Sequence, residues 1–220
     1  MIDTVIVVGA GGVLGGGISR CLRNFGRNVI SVSARQIVER RLSIDRTTQD
    51  LVSEAFTTPR SDRRLGVVLA HRYRGRDPAE ALSIEIAVTR DFIWALASNV
   101  NLLRAVVIGS STESFACDHL TEAYHYGKDI QRSITRQSCR LSNVQMNLLA
   151  LSWFEKYEPS HQSDEYSAVI SGIKQRIGDL NFPKIYDISD FINQMMRSSL
   201  TPRGQIITYD GGLSILQSGL

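Results

Sequence analysis

Thr4-Val5-Ile6-Val7-Val8-Gly9-Ala10-Gly11-Gly12-Val13-Leu14-Gly15-Gly16-Gly17 runs from a β-branched segment into a glycine-rich loop and on into helix-compatible sequence. A short apolar run of this kind reads as a buried strand, and the pattern after it reads as a helix up to about Asn24, closed by Gly26. Glycines between a strand and a helix let the backbone turn tightly and approach a pyrophosphate, while the helix N-terminus supplies amides and a positive dipole. A lone glycine motif carries little, but this one lies within the first dozen or so residues, after a strand and before a helix, which is the context the reading needs. Two registers fit: Gly9-x-x-Gly12-x-x-Gly15, and Gly11-x-x-x-Gly15-x-Gly17. The first is preferred because it leaves the longer helix, and it makes Gly9, Gly12, Val13, Leu14 and Gly15 the expected cofactor contacts.

Working outward, short β-branched runs alternate with longer helical patterns, which is the arrangement of a parallel sheet with helices on both faces. Strands are expected at residues 4–8, 28–33, 41–45, 66–70, 104–109, 145–151 and 205–208, and helices at 14–24, 47–56, 79–97, 121–141 and 187–199. The expectation is therefore an α/β protein: a Rossmann-like doubly wound parallel sheet of about seven strands, residues 1–220 forming one NAD(P)-binding domain. The less regular stretch 153–183 follows the sixth strand as a candidate substrate lid.

Composition narrows the class. With 220 residues, 43% hydrophobic and 21% charged, the chain can bury a full core without disulfides or metal. Twenty-five basic against 22 acidic residues is too even a balance for a dedicated nucleic-acid binder. Arginines cluster at Arg40-Arg41, Arg63-Arg64 and Arg72, Arg74 and Arg76, and read as solvated loop charge. Cys21, Cys117 and Cys139 are odd in number and widely spaced, which favours reduced thiols and a cytoplasmic setting. His71, His119, His125 and His161 are scattered, so no metal is expected. Neither a secretory leader nor a membrane span is read, and no nucleic-acid or membrane partner is expected.

Two further positions concern the cofactor. The second strand ends Val32-Ser33-Ala34-Arg35, with an arginine and no carboxylate where a ribose hydroxyl would be held, so NADP(H) is expected over NAD(H). Ala70 ends the fourth expected strand, beside the same crevice.

The chemistry comes from Tyr124, Lys128 and Ser111. Residues four apart on a helix share a face, so a lysine ammonium at 128 lies under the same pocket as the phenol at 124. A nearby positive charge favours the phenolate and brings a tyrosine toward general acid–base work. Ser111 stands at the end of the apolar run Ala105-Val106-Val107-Ile108-Gly109, where open α/β sheets present their ligands.

Together these residues resemble the short-chain dehydrogenase/reductase family over essentially the whole chain. Tyr124 lies thirteen positions after Ser111, and Lys128 four later, as the family's catalytic residues would. Ile44-Asp45 is similar to the family's aspartate near the adenine, and Asp187-Ile188, Gly204-Gln205 and Asp210-Gly211-Gly212 resemble its C-terminal pattern. The resemblance implies that Tyr124 protonates a carbonyl oxygen while nicotinamide delivers hydride. It implies that Lys128 holds the nicotinamide ribose, and that Ser111 bonds the substrate oxygen. It also implies a homodimer or homotetramer through the helices 79–97 and 121–141, with Phe92 and Trp94 either interface groups or core.

The pattern is divergent. Where the family has Asn-Asn-Ala-Gly this chain has Leu69-Ala70-His71-Arg72, with only Ala70 in keeping, and the asparagine of the family's proton relay falls at Glu85 or Ile86. Leu151-Ser152 replaces a Pro-Gly. The expected function is an NADPH-dependent carbonyl reductase or alcohol dehydrogenase acting on a small carbonyl or alcohol. The alternatives are a nucleotide-sugar epimerase or dehydratase, suggested by the glycine register, and a non-catalytic NADP(H) sensor, suggested by His71 and the missing asparagine. Thr112, Glu113, Phe115, Trp153, Phe154 and Tyr157 flank the expected pocket, and His125 and Cys117 are read as structural.

Overall fold

The computed structural model describes residues 2–39, 64–98, 100–111, 121–141, 143–151, 171, 183–198 and 202–209. Within them the apolar runs form six parallel strands: β1 (Thr4–Val8), β2 (Asn28–Val32), β3 (Arg64–Leu69), β4 (Leu102–Ser110), β5 (Val144–Leu151) and β6 (Ile206–Tyr209). Their order is β2-β1-β3-β4-β5-β6. The expected strand 41–45, the helix 47–56 and nearly all of the stretch 153–183 lie outside the described residues.

Strand side chains alternate between two apolar layers because both faces of the sheet are covered. Ile6, Val8, Val67, Leu69 and Val107 pack with Val88, Phe92, Ile93 and Leu96 on one side. Val5, Val7, Val68, Val106 and Ile108 pack with Ile18, Leu22, Ile188, Ile192 and Met196 on the other. That second face is covered by α1 (Val13–Asn24) and the C-terminal helix Ile185–Arg197. Phe92 is 1% exposed, so it belongs to the core and is no interface group.

Helix ends follow local chemistry. Gly26, at φ +80°, lets α1 close with Gly26 N bonded to Arg23 O and Arg27 N to Leu22 O. Helix α2 (Ala34–Glu39) was not expected from the sequence. Its signal is Ser33-Ala34-Arg35-Gln36, in which the Gln36 side-chain oxygen accepts from the Ser33 amide at 3.0 Å, the backward half of a capping box. The expected single helix 79–97 is three pieces: α3 (Pro78–Glu85), a π-helical segment (Ile86–Asp91) and α4 (Phe92–Ala97). Asp77 caps α3 by accepting from Ala79 N at 2.9 Å, with Pro78 in the first turn. Helix α5 (Glu122–Gln137) starts at Thr121, whose hydroxyl accepts from Tyr124 N at 3.2 Å. The C-terminal helix, α6 (Ile185–Arg197), begins two residues earlier than expected, with Asp187 accepting from Lys184 N at 3.2 Å.

Candidate functional site

The strand order reverses between β1 and β3, and the crevice at the carboxyl ends of such strands is where open α/β sheets bind ligands. The loop after β1 lies against the chain leaving β3. Gly9 has φ +85°, and a Cβ there would meet the His71 backbone at 2.8 Å. A Cβ on Gly15 would collide with the Gly9 carbonyl oxygen, while one on Gly11 would meet nothing within 4 Å. The tight positions are thus Gly9 and Gly15, which belong to the Gly9-x-x-Gly12-x-x-Gly15 register. Gly17 has a different reason: a Cβ there would strike Ile185 Cγ2 at 2.7 Å, so its bareness lets α1 pack on α6.

Gly12 is the N-cap of α1, followed by Val13 and Leu14 in the first turn. First-turn amides have no acceptor within their own helix, and the dipole there is positive. The loop and helix therefore fit a dinucleotide phosphate. Ala70 donates its amide to Val8 O at 2.9 Å and closes the far wall of the crevice. Arg35 is exposed in the first turn of α2, past the end of β2. Asp45 lies outside the described residues.

Helix α5 presents Tyr124, Lys128 and Arg132 at successive turns toward the end of β4. Lys128 Nζ donates to Ile108 O at 2.9 Å, and Arg132 donates to Ser110 O at 2.7 Å. Lys128 Nζ stands 5.7 Å from the Tyr124 ring centroid. Ser111 follows β4 directly, its amide bonded to Leu151 O at 2.8 Å, and its buried hydroxyl has no hydrogen-bond partner among the described residues. The expected pair of Tyr124 and Lys128 is brought together, at the strand end that carries Ser111. A buried hydroxyl without a partner is costly in a finished core, and its place here suits a ligand oxygen.

Four further residues lie about the site. Arg72, read from the sequence as solvated charge, lies with its guanidinium carbon 4.9 Å from the Tyr124 ring centroid. His125 meets the same ring edge-on at 5.6 Å. His71 and Glu85, noted only as departures from a family pattern, are bonded to each other, with His71 Nε2 2.9 Å from Glu85 Oε2. Spacing along the chain carried no signal for that pair, since 14 residues and two elements separate them.

Glu85 is also the acceptor for Thr89 Oγ1 at 2.6 Å and for Gln131 Nε2 at 3.0 Å. Burial pushes its carboxyl up, but His71, Lys128 and the Thr89 hydroxyl outweigh burial and hold it below the ordinary value of 4.5. Three donors converging on one oxygen are what an ionised carboxylate requires.

No protein-family model matches the chain, and no curated protein matches it either. Solved structures do. A dehydrogenase/reductase from Sinorhizobium meliloti 1021 superposes with a TM-score of 0.70 at 15% identity, covering 96% of this chain and 94% of that one. A short-chain type dehydrogenase/reductase from Mycobacterium ulcerans gives 0.71 at 15%, covering 96% and 89%. The fold is that of the short-chain dehydrogenases/reductases. A gluconate 5-dehydrogenase from Burkholderia cenocepacia J2315, solved with NADP and tartrate, gives 0.66 at 16%, covering 97% and 95%. On this short-chain dehydrogenase/reductase fold the glycine loop follows the first strand, and Ser111 and Tyr124 stand at the carboxyl ends of the sheet. Among the described residues no group of three or more His, Cys, Asp or Glu side chains could hold a metal ion. Nor is any described helix long and apolar enough to cross a membrane.

Proposed function

We propose that this chain is an NADPH-dependent oxidoreductase of the carbonyl reductase or alcohol dehydrogenase type, with Ser111, Tyr124 and Lys128 as its catalytic residues. The observation that carries the reading is Lys128 Nζ lying 5.7 Å from the Tyr124 ring, at the strand end where the Ser111 hydroxyl has no partner among the described residues. Gly9, Gly12, Val13, Leu14, Gly15, Arg35, Asp45 and Ala70 would line the NADP(H) site, the Arg35 guanidinium facing the 2′-phosphate. Bound there, the nicotinamide supplies hydride to the carbonyl carbon. Tyr124 gives its hydroxyl proton to the carbonyl oxygen, and Ser111 Oγ donates a hydrogen bond to that oxygen as charge develops. Lys128 keeps a positive charge beside the phenol. The substrate is a small carbonyl or alcohol, the setting cytoplasmic and the assembly a homodimer or homotetramer, which sedimentation checks.

The test is Tyr124→Phe, assayed on a panel of carbonyl compounds by NADPH absorbance and by cofactor titration. It removes the transferable proton and little else, so turnover should fall by about 10²–10⁴ with NADPH affinity nearly intact. Retained turnover would discredit the mechanism. The alternative is a non-catalytic NADP(H) sensor, the reading suggested by the altered segment at His71. Binding of NADPH by the unaltered protein with no turnover across the panel would favour that reading.

A further inference from the structure

Between α3 and α5, Lys128 is joined to buried polar groups that hydride transfer does not itself require. Gln131 is 0% exposed, Glu85 2%, His71 4% and Lys128 6%. Lys128 Nζ donates to Gln131 Oε1 at 3.0 Å, and Gln131 Nε2 donates to Glu85 Oε2 at 3.0 Å. An amide has one accepting and one donating end, so a glutamine between an ammonium and a carboxylate satisfies both in only one orientation. The donors on Glu85 are His71, Thr89 and Gln131, and these together with Lys128 are the charged and polar side chains facing it from the end of β3, the π-helical segment and α5.

Burying an ammonium is costly unless a counter-charge and hydrogen bonds compensate. Among the described residues no carboxylate forms an ion pair with Lys128, and its two protein acceptors, Ile108 O and Gln131 Oε1, are neutral. The compensating charge is Glu85, one amide away. Two of the three ammonium N–H groups are thereby fixed, and the third has no acceptor among the described residues. The two departures from the family pattern, His71 and Glu85, are thus the far end of the support beneath Lys128.

We infer that Gln131 and Glu85 are positioning residues for Lys128: the Glu85 carboxylate, anchored by His71 and Thr89, orients the Gln131 amide, and that amide holds the buried ammonium charged and aimed at the cofactor ribose. The inference rests on the function proposed above, and it assigns a role to groups that touch neither substrate nor cofactor. Glu85 and Gln131 act only through Lys128.

The experiment titrates NADPH into the full-length protein, followed by energy transfer from tryptophan to the reduced nicotinamide, with thermal unfolding recorded for every variant. Gln131→Met keeps the length and removes both hydrogen bonds. It and Glu85→Gln should each weaken NADPH binding about tenfold, the loss appearing in the KM for NADPH more than in that for the carbonyl compound. A folded Gln131→Met with unchanged NADPH affinity overturns the inference. Should Gln131→Met fail to fold, unchanged affinity in the near-isosteric Glu85→Gln overturns it equally. A loss in Gln131→Met that falls equally on the KM for NADPH and on that for the carbonyl compound overturns it too, since a role in packing alone predicts no preference for the cofactor. An unaltered protein that binds no NADP(H) removes the proposed function along with the inference. Unaltered binding with unaffected variants removes the inference alone.

Discussion

His71 Nε2 and Glu85 Oε2 stand 2.9 Å apart, on side chains that leave β3 and end α3. Each accounts for the other. A buried carboxylate without donors would be untenable at that point. The pair also sits where the helix changes character, because the π-helical segment opens at Ile86 and carries Thr89, a third partner of the same carboxylate. Such segments are often found at functional sites.

Glu85 makes the protein acid-sensitive. Its carboxyl lies below 4.5 in the folded state, so its contribution to stability is fully present above the unfolded value and is lost as pH falls through the lower folded value. Thermal unfolding of the unaltered protein should therefore weaken below about pH 4.5, and that of Glu85→Gln should be flatter over the same window. At neutral pH the variant should be about 1–3 kcal/mol less stable, having exchanged a charged acceptor for a neutral one. Parallel curves of melting temperature against pH for the two proteins would contradict an ionised native carboxylate.

The glycine loop separates its residues by geometry. Gly9→Ala places a Cβ at φ +85° and against the His71 backbone, and Gly15→Ala drives one into the Gly9 carbonyl. Each should cost about 1–3 kcal/mol, which for a chain of this size is several degrees of melting temperature. Gly11→Ala meets open space and should stay within about 0.5 kcal/mol of the unaltered protein. Equal losses at Gly9 and Gly11 would refute this account of the loop.

Arg35 tests the choice of cofactor. Arg35→Ala should weaken NADPH roughly tenfold and leave NADH nearly unchanged, because only the former carries a 2′-phosphate for a guanidinium to bond. Equal losses for the two cofactors, measured by titration, would remove the NADP(H) assignment.

Arg104 is structural rather than functional. Its guanidinium donates to Gln145 Oε1 at 3.0 Å and to Met196 O at 2.6 Å, tying β4 to β5 and to the last turn of α6 beneath the sheet. Arg104→Met should cost about 1–3 kcal/mol in denaturant unfolding, because it leaves the Met196 carbonyl unpaired, while NADPH affinity holds. A matching loss of affinity would show that the two ends of the sheet are coupled.

Strands β1, β3, β4 and β5 were legible because both faces of the sheet are buried, so each run is mainly apolar. Helices α1 and α5 were legible from their periodicity and caps. Helix α2 was missed although Ser33 and Gln36 carried its signal, and the π-helical break in 79–97 had none, since helix-compatible sequence does not reveal which turn widens. Tyr124 with Lys128 was readable because four residues on a helix make one face.

By itself, the order of residues determined what is local: the strand, glycine loop and helix at the N-terminus, the alternation that makes a parallel sheet, and the face shared by Tyr124 and Lys128. Only the folded chain decided that His71, Glu85, Gln131 and Lys128 form one buried polar chain, and that Arg72 lies on the Tyr124 ring. The reason is physical. Periodicity and capping act over a few residues, whereas the partner of a buried charge is chosen by which elements the sheet brings together, across separations that no spacing rule spans.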